Sequence, residues 1–417
     1  MADLGRLDAW LYGTLVAHLI PGRDGAIGWR WTSEAVSRWG VGRRVVSALL
    51  PIGVDTYPLR PKLFLDGYLP EGTSRSRYAV EAGVDPDDTF SLIAAYGRDL
   101  AGALIIVPEG ETPEPIDPSF KRLSLDEVAD RLRKTGRRSS GHDSFSSLPG
   151  LVPKITLHRD RGRWFAPQDG AASTWIIKRA QDEQSPAADV VDTETAALRI
   201  AKRLGLTNIE AEVIDFGGGL RGIAVSRYDR TLRSDGTIGR LHQEDLAQAI
   251  GLNTTDPNRK AQRGSQTTPS LRRAAKVLSD AGEEVDALLR LVTFSHLIGN
   301  TDLHAKNLSY VHTPGGRSVV APVYDMSMHL HSEHSSREVG LLVNGKVSFD
   351  DITRDDLIAE GVTWGITRAR AEEVLAALQV GFVAALEAEH ATGNHPGVSE
   401  AAWEVVFDRA DNLSQPG

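Results

Sequence analysis

The stretch NTDLHAKN, residues 300–307, holds the side-chain types that phosphoryl transfer needs. Asp302 and Asn307 stand five positions apart, the D-x-x-x-x-N spacing of a kinase catalytic loop. A carboxylate there accepts the proton of an attacking hydroxyl, and an amide oxygen a few residues on holds Mg²⁺ beside the phosphates. Alone the spacing is a weak signal, because the same pair can cap a turn after a helix. Downstream, LSYV, TPGG and SVVAPV (308–323) read as a β-hairpin that delivers Tyr324-Asp325 at its end. A second Mg²⁺-binding carboxylate belongs beyond such a hairpin, so Asp325 takes that role, in a Tyr-Asp-Met context instead of Asp-Phe-Gly.

Two further cations lie upstream. STWIIKRA (173–180) carries Lys178 at the end of an apolar strand, where it can meet the α- and β-phosphates, with Glu194 on the following helix placed to pair with it. SSLPGLVPK (146–154) brings Gly150 for close backbone approach and Lys154 as a supplementary cation. It is neither G-x-G-x-x-G nor a Walker A loop. His242 reads as structural. His329, His331 and His334 in HLHSEH have ligand-like spacing, but with no second cluster an exposed loop is the better reading. That loop is also placed to touch a protein substrate. The basic run Arg131, Arg133, Lys134, Arg137 and Arg138 reads as a solvated helix face.

These residues need elements to hold them. Residues 5–20 read as strands around Gly13, residues 75–84 as a helix, and DPDD (85–88) as the cap of the next helix. The run 101–107 reads as a buried strand. EGETPEPIDP (109–118) reads as a linker. A helix fits 123–134, a mobile loop 136–150, strands 152–158 and 174–178, and a helix 193–204. Strands follow near 209–215 and 222–227. From residue 244 the pattern is mostly helical, with a stripe over 284–297 and final helices near 354–360, 367–390 and 398–410. Asn344-Gly345 marks a hairpin inside 336–349. The expected domains are 1–118, 119–243 and 244–417.

At 417 residues the chain is long enough for two or three packed units. Its net charge of −9 argues against a protein that coats nucleic acid through a basic surface. With no cysteine, disulfides, thiolate metal sites and a Cys nucleophile are excluded. Neither a signal peptide nor a membrane span is legible, so a cytoplasmic protein is expected.

The sequence resembles the HipA family of bacterial kinase toxins over nearly its whole length. The resemblance rests on YLPEGTSRSRYA, DDTFSLIAAYGRDLAGAL, SLPGLVPK, TWIIK, SRYDR, RLHQEDLAQAIGL, LIGNTDLHAKNLS and APVYDMS together. It implies an α+β, protein-kinase-like two-lobed fold with an N-terminal α+β subdomain and a mostly helical C-terminal lobe. It implies ATP- and Mg²⁺-dependent phosphorylation of Ser or Thr, notably on aminoacyl-tRNA synthetases. By that resemblance Asp302 is the base and Lys306 neutralises the transferred phosphoryl. His304 lines the catalytic loop, and Asn307 and Asp325 hold Mg²⁺. Lys178 binds phosphate, Pro149, Gly150, Leu151, Val152, Pro153 and Lys154 form the phosphate loop, and Tyr324 adjoins the nucleotide. Ser226, Arg227 and Tyr228 match the hinge that meets adenine, and Ser147 matches an autophosphorylated serine. Val152 and Ser226 stand where the family often has Gln and Glu. The resemblance also implies a HipB-like helix-turn-helix antitoxin as partner, with DNA met only through it and no membrane. Two rivals stay open: a non-catalytic nucleotide-binding platform for an antitoxin, and a small-molecule kinase.

Overall fold

The computed structural model describes residues 5–115, 117–135, 154–182, 184–185, 187–255, 257–262 and 269–413. The chain folds into two compact units that interleave in sequence. The first comprises Met1–Arg179, Arg227–Arg259 and Tyr310–Val319; the second comprises Ala180–Ser226, Lys260–Ser309 and Val320–Gly417. The proline-rich segment expected as a linker lies inside the first unit.

In the first unit an antiparallel sheet runs in the order Ile27–Trp31, Thr14–Pro21, Leu7–Leu11, Leu104–Pro108. The turn between the strands expected over 5–20 is Tyr12-Gly13, with φ of 51° and 76°. Both values are positive, which matches the twist of the flanking strands. Phe64, Tyr68 and Trp29 pack edge to face beneath this sheet. Helix Leu59–Asp66, which carries Phe64, is not legible in the sequence because Pro58 and Pro61 look like breakers. Pro61 falls in the first helical turn, where a backbone N–H has no helical partner to lose. A second antiparallel group runs Phe120–Leu123, Arg163–Pro167, Lys154–Asp160, Trp175–Arg179. Helix Leu125–Lys134 covers it through Val128, Ala129 and Leu132, started by a Ser124/Glu127 capping box.

A buried ion network joins three segments of this unit. Arg227 and Arg230 donate to Asp229 at 2.8 and 2.9 Å, and Arg230 donates to Asp99 at 2.9 Å. Leu100 O accepts from both guanidiniums, and Ser173 Oγ donates to Asp99. Elsewhere in this unit the buried Glu244 accepts from Ser47, from Ala48 N and from His312. His242 is fully buried between Val46 O and Ala103 N, so its structural reading holds.

The second unit holds helix Val190–Arg203, the strand pair Ala211–Asp215 and Arg221–Ser226, and the helices Leu271–Ser279, Asp286–Leu297, Arg354–Thr363, Arg368–His390 and Glu400–Asn412. Ser270, Thr353, Thr367 and Ser399 cap four of these helices. Phe294 and Phe382 join the two long helices edge to face. The hairpin Glu338–Val343/Lys346–Ser348 turns at Asn344-Gly345 as expected. Among the described residues no helix is long and apolar enough to cross a membrane.

The ion network sets a first expectation. Burial pushes the Asp229 carboxyl up, but Arg227 and Arg230 outweigh it and hold it down at about 2; Asp99 is lowered by the same kind of neighbours. A depressed carboxylate contributes stability that is fully present above its unfolded value of about 4 and is lost as pH falls through the folded value. Acid unfolding should therefore steepen between about pH 4 and 2, and Asp99→Ala should flatten that limb. The same variant leaves Arg227 and Arg230 sharing Asp229 as their one carboxylate and should cost about 3–5 kcal/mol in urea unfolding at neutral pH.

Candidate active site

Helix Asp286–Leu297 is apolar on most faces and fully buried along its last two turns. It stops at Gly299, whose φ of 75° only glycine adopts freely. Asn300 then bonds back to the helix end, N to Ser295 O at 2.9 Å and Nδ2 to Ser295 Oγ at 3.0 Å. This fixes the direction in which the catalytic loop leaves.

Asp302 is next. Its side chain is 61% exposed, while its backbone carbonyl accepts from His304 N at 2.9 Å and from Asn307 Nδ2 at 3.0 Å. The two residues of the D-x-x-x-x-N pair are thus physically joined, and the donation assigns the oxygen end of the Asn307 amide to the other side. Asn307, Lys306 and His304 are all buried. His304 Nδ1 accepts from Lys306 N, and Nε2 faces the Asp302 carboxylate at 3.8 Å. Burial lowers the His304 pKa against the pull of Asp302 and Asp325. The ring is therefore neutral at physiological pH.

Tyr324 holds the loop from above. Its hydroxyl donates to Lys306 O at 2.7 Å and shares a 2.6 Å hydrogen bond with Ser309 Oγ. Asp325 follows, exposed and with φ of 53°, a left-handed conformation that Asp tolerates better than most residues. From below, strand Glu338–Val343 lies against the loop. Gly340 N donates to Thr301 O at 3.2 Å. A Cβ at Gly340 would sit 2.5 Å from Leu303 O and 2.9 Å from His304 N, so only glycine permits this approach. The sequence reading did not single out Gly340. A glycine inside the strand pattern REVGLLV was the available signal.

In the first unit Lys154 and Lys178 are direct cross-strand partners on an antiparallel pair, so their side chains share one face. The chain passes from the second unit to the first between Ser226 and Arg227. Ser226 Oγ accepts from Glu210 N, Arg227 spends its guanidinium in the ion network, and Tyr228 donates to Gln243 Oε1. The Arg227 backbone is engaged as well, its N donating to Thr174 O at 2.9 Å and its O accepting from Arg230 N at 3.3 Å. Glu194 is buried on its helix in the second unit. Ser147, Pro149, Gly150, Leu151, Val152 and Pro153 lie outside the described residues.

The histidine loop differs from expectation. Only His334 is exposed. His329 Nδ1 accepts from Thr301 N, and His331 Nε2 lies 2.6 Å from Asp189 Oδ2. Their neighbours explain the difference, since both rings satisfy polar groups inside the fold. Among the described residues no group of three or more His, Cys, Asp or Glu is arranged to hold a metal ion.

The family model of the HipA-like C-terminal domain matches residues 146–386, and that of the HipA N-terminal domain matches residues 7–107. A putative kinase of Sinorhizobium fredii is 28% identical over 364 residues, which is 84% of this chain and 83% of that one. The serine/threonine-protein kinase toxin HipA of Shewanella oneidensis is 28% identical over 300 residues, 65% of this chain and 66% of the relative. Among solved structures, a chain of the Shewanella oneidensis toxin–antitoxin complex of HipA, HipB and operator DNA matches with a TM-score of 0.79 at 22% identity, covering 98% of this chain and 95% of that one. The fold is therefore the α+β, two-lobed, protein-kinase-like fold read from the sequence.

The close approach at Gly340 is directly testable. Gly340→Ala should destabilise the protein by about 1–3 kcal/mol in urea unfolding, because backbone on the facing side must move. An unchanged unfolding midpoint would show that the strand can withdraw without cost.

Proposed function

Because the chain belongs to the HipA family, we propose that it transfers the γ-phosphoryl group of ATP to a Ser or Thr hydroxyl of a protein, with Asp302 as the catalytic base. It is an enzyme of the serine/threonine kinase class. The observation that carries the specific reading is the built loop: an exposed Asp302 carboxylate whose own backbone is clamped by Asn307 and His304.

The donor set fits a hard cation. The Asn307 amide oxygen and the Asp325 carboxylate are oxygen ligands of the kind Mg²⁺ takes alongside nucleotide phosphates. When bound, the ion would screen the phosphate charge. Asp302 would orient the acceptor hydroxyl and take its proton as the oxygen attacks phosphorus. Lys306, on the same loop, would offset charge on the moving phosphoryl group. Lys178 and Lys154 would hold the nucleotide phosphates from one sheet face, with Glu194 as the proposed partner of Lys178. Residues 149–153 would complete that grip. Ser226, Arg227 and Tyr228 would form the hinge beside adenine, and Tyr324 would set the position of Asp325.

The same premise supports a cytoplasmic toxin of a type II toxin–antitoxin system. Its partner would be a HipB-like helix-turn-helix antitoxin, and its substrate a translation component such as an aminoacyl-tRNA synthetase. The solved relative was captured with HipB and operator DNA. A net charge of −9 favours DNA contact through the partner over direct contact. Ser147 would be the site of inactivating autophosphorylation.

Labelled γ-phosphate should move from ATP to a protein band in cell lysate with the wild type. Asp302→Ala should lower the rate by about 10²–10⁴-fold and leave ATP affinity nearly intact, whereas Asp325→Ala should weaken Mg²⁺-dependent ATP binding as well. Equal labelling by wild type and Asp302→Ala would remove Asp302 from the mechanism. No labelling by either, with ATP bound, would point to a non-catalytic platform or a small-molecule acceptor.

A further inference from the structure

The segment His329–His331 follows Asp325 by a few residues and makes two polar links to different elements. The first runs to the catalytic loop. His329 N donates to Gly299 O at 3.1 Å, and His329 Nδ1 accepts from Thr301 N and lies 3.3 Å from Thr301 Oγ1. One residue thus brackets the three positions that precede Asp302. An accepting Nδ1 needs a neutral ring, and burial lowers the His329 pKa against the pull of Asp302 and Asp325. Leu330 packs over Gly299 between the two histidines.

The second link runs to helix Val190–Arg203, which carries Glu194. His331 Nε2 meets Asp189 Oδ2 at 2.6 Å. Asp189 is the N-cap residue of that helix, yet its carboxylate makes no capping bond. An Asp at this position ordinarily accepts from the first-turn N–H groups; here it is turned to the histidine. His331 Nδ1 is buried with no hydrogen-bond partner among the described residues, so the bond to Asp189 alone orients the ring.

We propose that His329 and His331 are positioning residues. They form a strap that sets the catalytic loop and the Glu194 helix relative to the segment that begins at Asp325. The strap acts on the reaction through geometry and touches neither nucleotide nor acceptor. This reading rests on the kinase assignment for its effect on rate, but the strap itself is a statement about structure.

Amide side chains distinguish the two ring nitrogens, since Asn mimics Nδ1 and Gln mimics Nε2. His329→Leu and His331→Leu should each lower kcat for phosphoryl transfer by roughly tenfold to a hundredfold, with KM for ATP held within about threefold. His329→Asn and His331→Gln should recover most of the loss. Asp189→Ala cuts the second link from its more exposed side and should match His331→Leu, which keeps the test open if a leucine variant fails to fold. Amide exchange supplies a readout independent of activity. The peptide over 299–307 should exchange faster in His329→Leu and return to the wild-type rate in His329→Asn. The start of helix Val190–Arg203 should exchange faster in His331→Leu and Asp189→Ala. Unchanged exchange in these folded variants overturns the strap, as does a leucine variant with wild-type kcat. If the wild type itself transfers no phosphate, the kinase assignment fails and the exchange rates alone decide the strap.

Discussion

An irregular loop can present a charged carboxylate at a fixed place only if its backbone polar groups find partners elsewhere. In residues 299–307 those partners come from several directions. Gly299 O and Thr301 N are met by His329, Thr301 O by Gly340 N, and Asp302 O by His304 N and the Asn307 amide. Ala305 N donates to Lys260 O, Lys306 N to His304 Nδ1, and Lys306 O accepts from Tyr324. Helix, hairpin strand and the Asp325 segment are all spent on holding one loop. The Asp302 side chain is the group left facing outward, and this division between satisfied backbone and exposed carboxylate is what the rest of the second unit serves.

The first unit applies the same accounting to charge. Two guanidiniums lie almost wholly inside it, each 1% exposed, a state that is tolerable only when carboxylates and carbonyls surround them. Asp99 and Leu100 come from the stretch matched by the HipA N-terminal domain, whereas Ser173, Arg227, Asp229 and Arg230 come from the stretch matched by the C-terminal domain. The two family segments therefore share one buried network. Removing the N-terminal segment would leave Arg227 and Arg230 without Asp99 and Leu100, beside the residues proposed to meet adenine. The N-terminal segment is therefore part of the packing that holds Arg227 and Arg230 and not an appended module.

What was legible in the sequence is what local chemistry determines. The D-x-x-x-x-N spacing, the hairpin before Asp325, the Asn344-Gly345 turn and the capped C-terminal helices each depend on residues within a few positions of one another. What was not legible depends on distant partners. Gly340 matters because of a loop nearly forty residues earlier. The HLHSEH histidines look like surface ligands until Thr301 and Asp189 are placed beside them. The Arg227 guanidinium finds its partners in Asp99 and Asp229, the first of them more than a hundred residues away in sequence. Helix Leu59–Asp66 was hidden by prolines whose positions in the first turn make them harmless.

Local rules are broken in two distinct ways in this molecule, and the difference bears on function. Arg227 and Arg230 break the rule against buried charge, but every break is matched by a carboxylate or carbonyl within the same unit, so the break builds architecture. Lys154 and Lys178 place like charges opposite each other across strands, and Asp325 departs from the preference for negative φ. Departures of this kind collect at functional sites. A polyphosphate bound there would meet both lysines. A carboxylate turned out of the regular backbone is placed to present its oxygens where a cation is needed. These departures therefore fall at the residues proposed to grip Mg²⁺ and ATP.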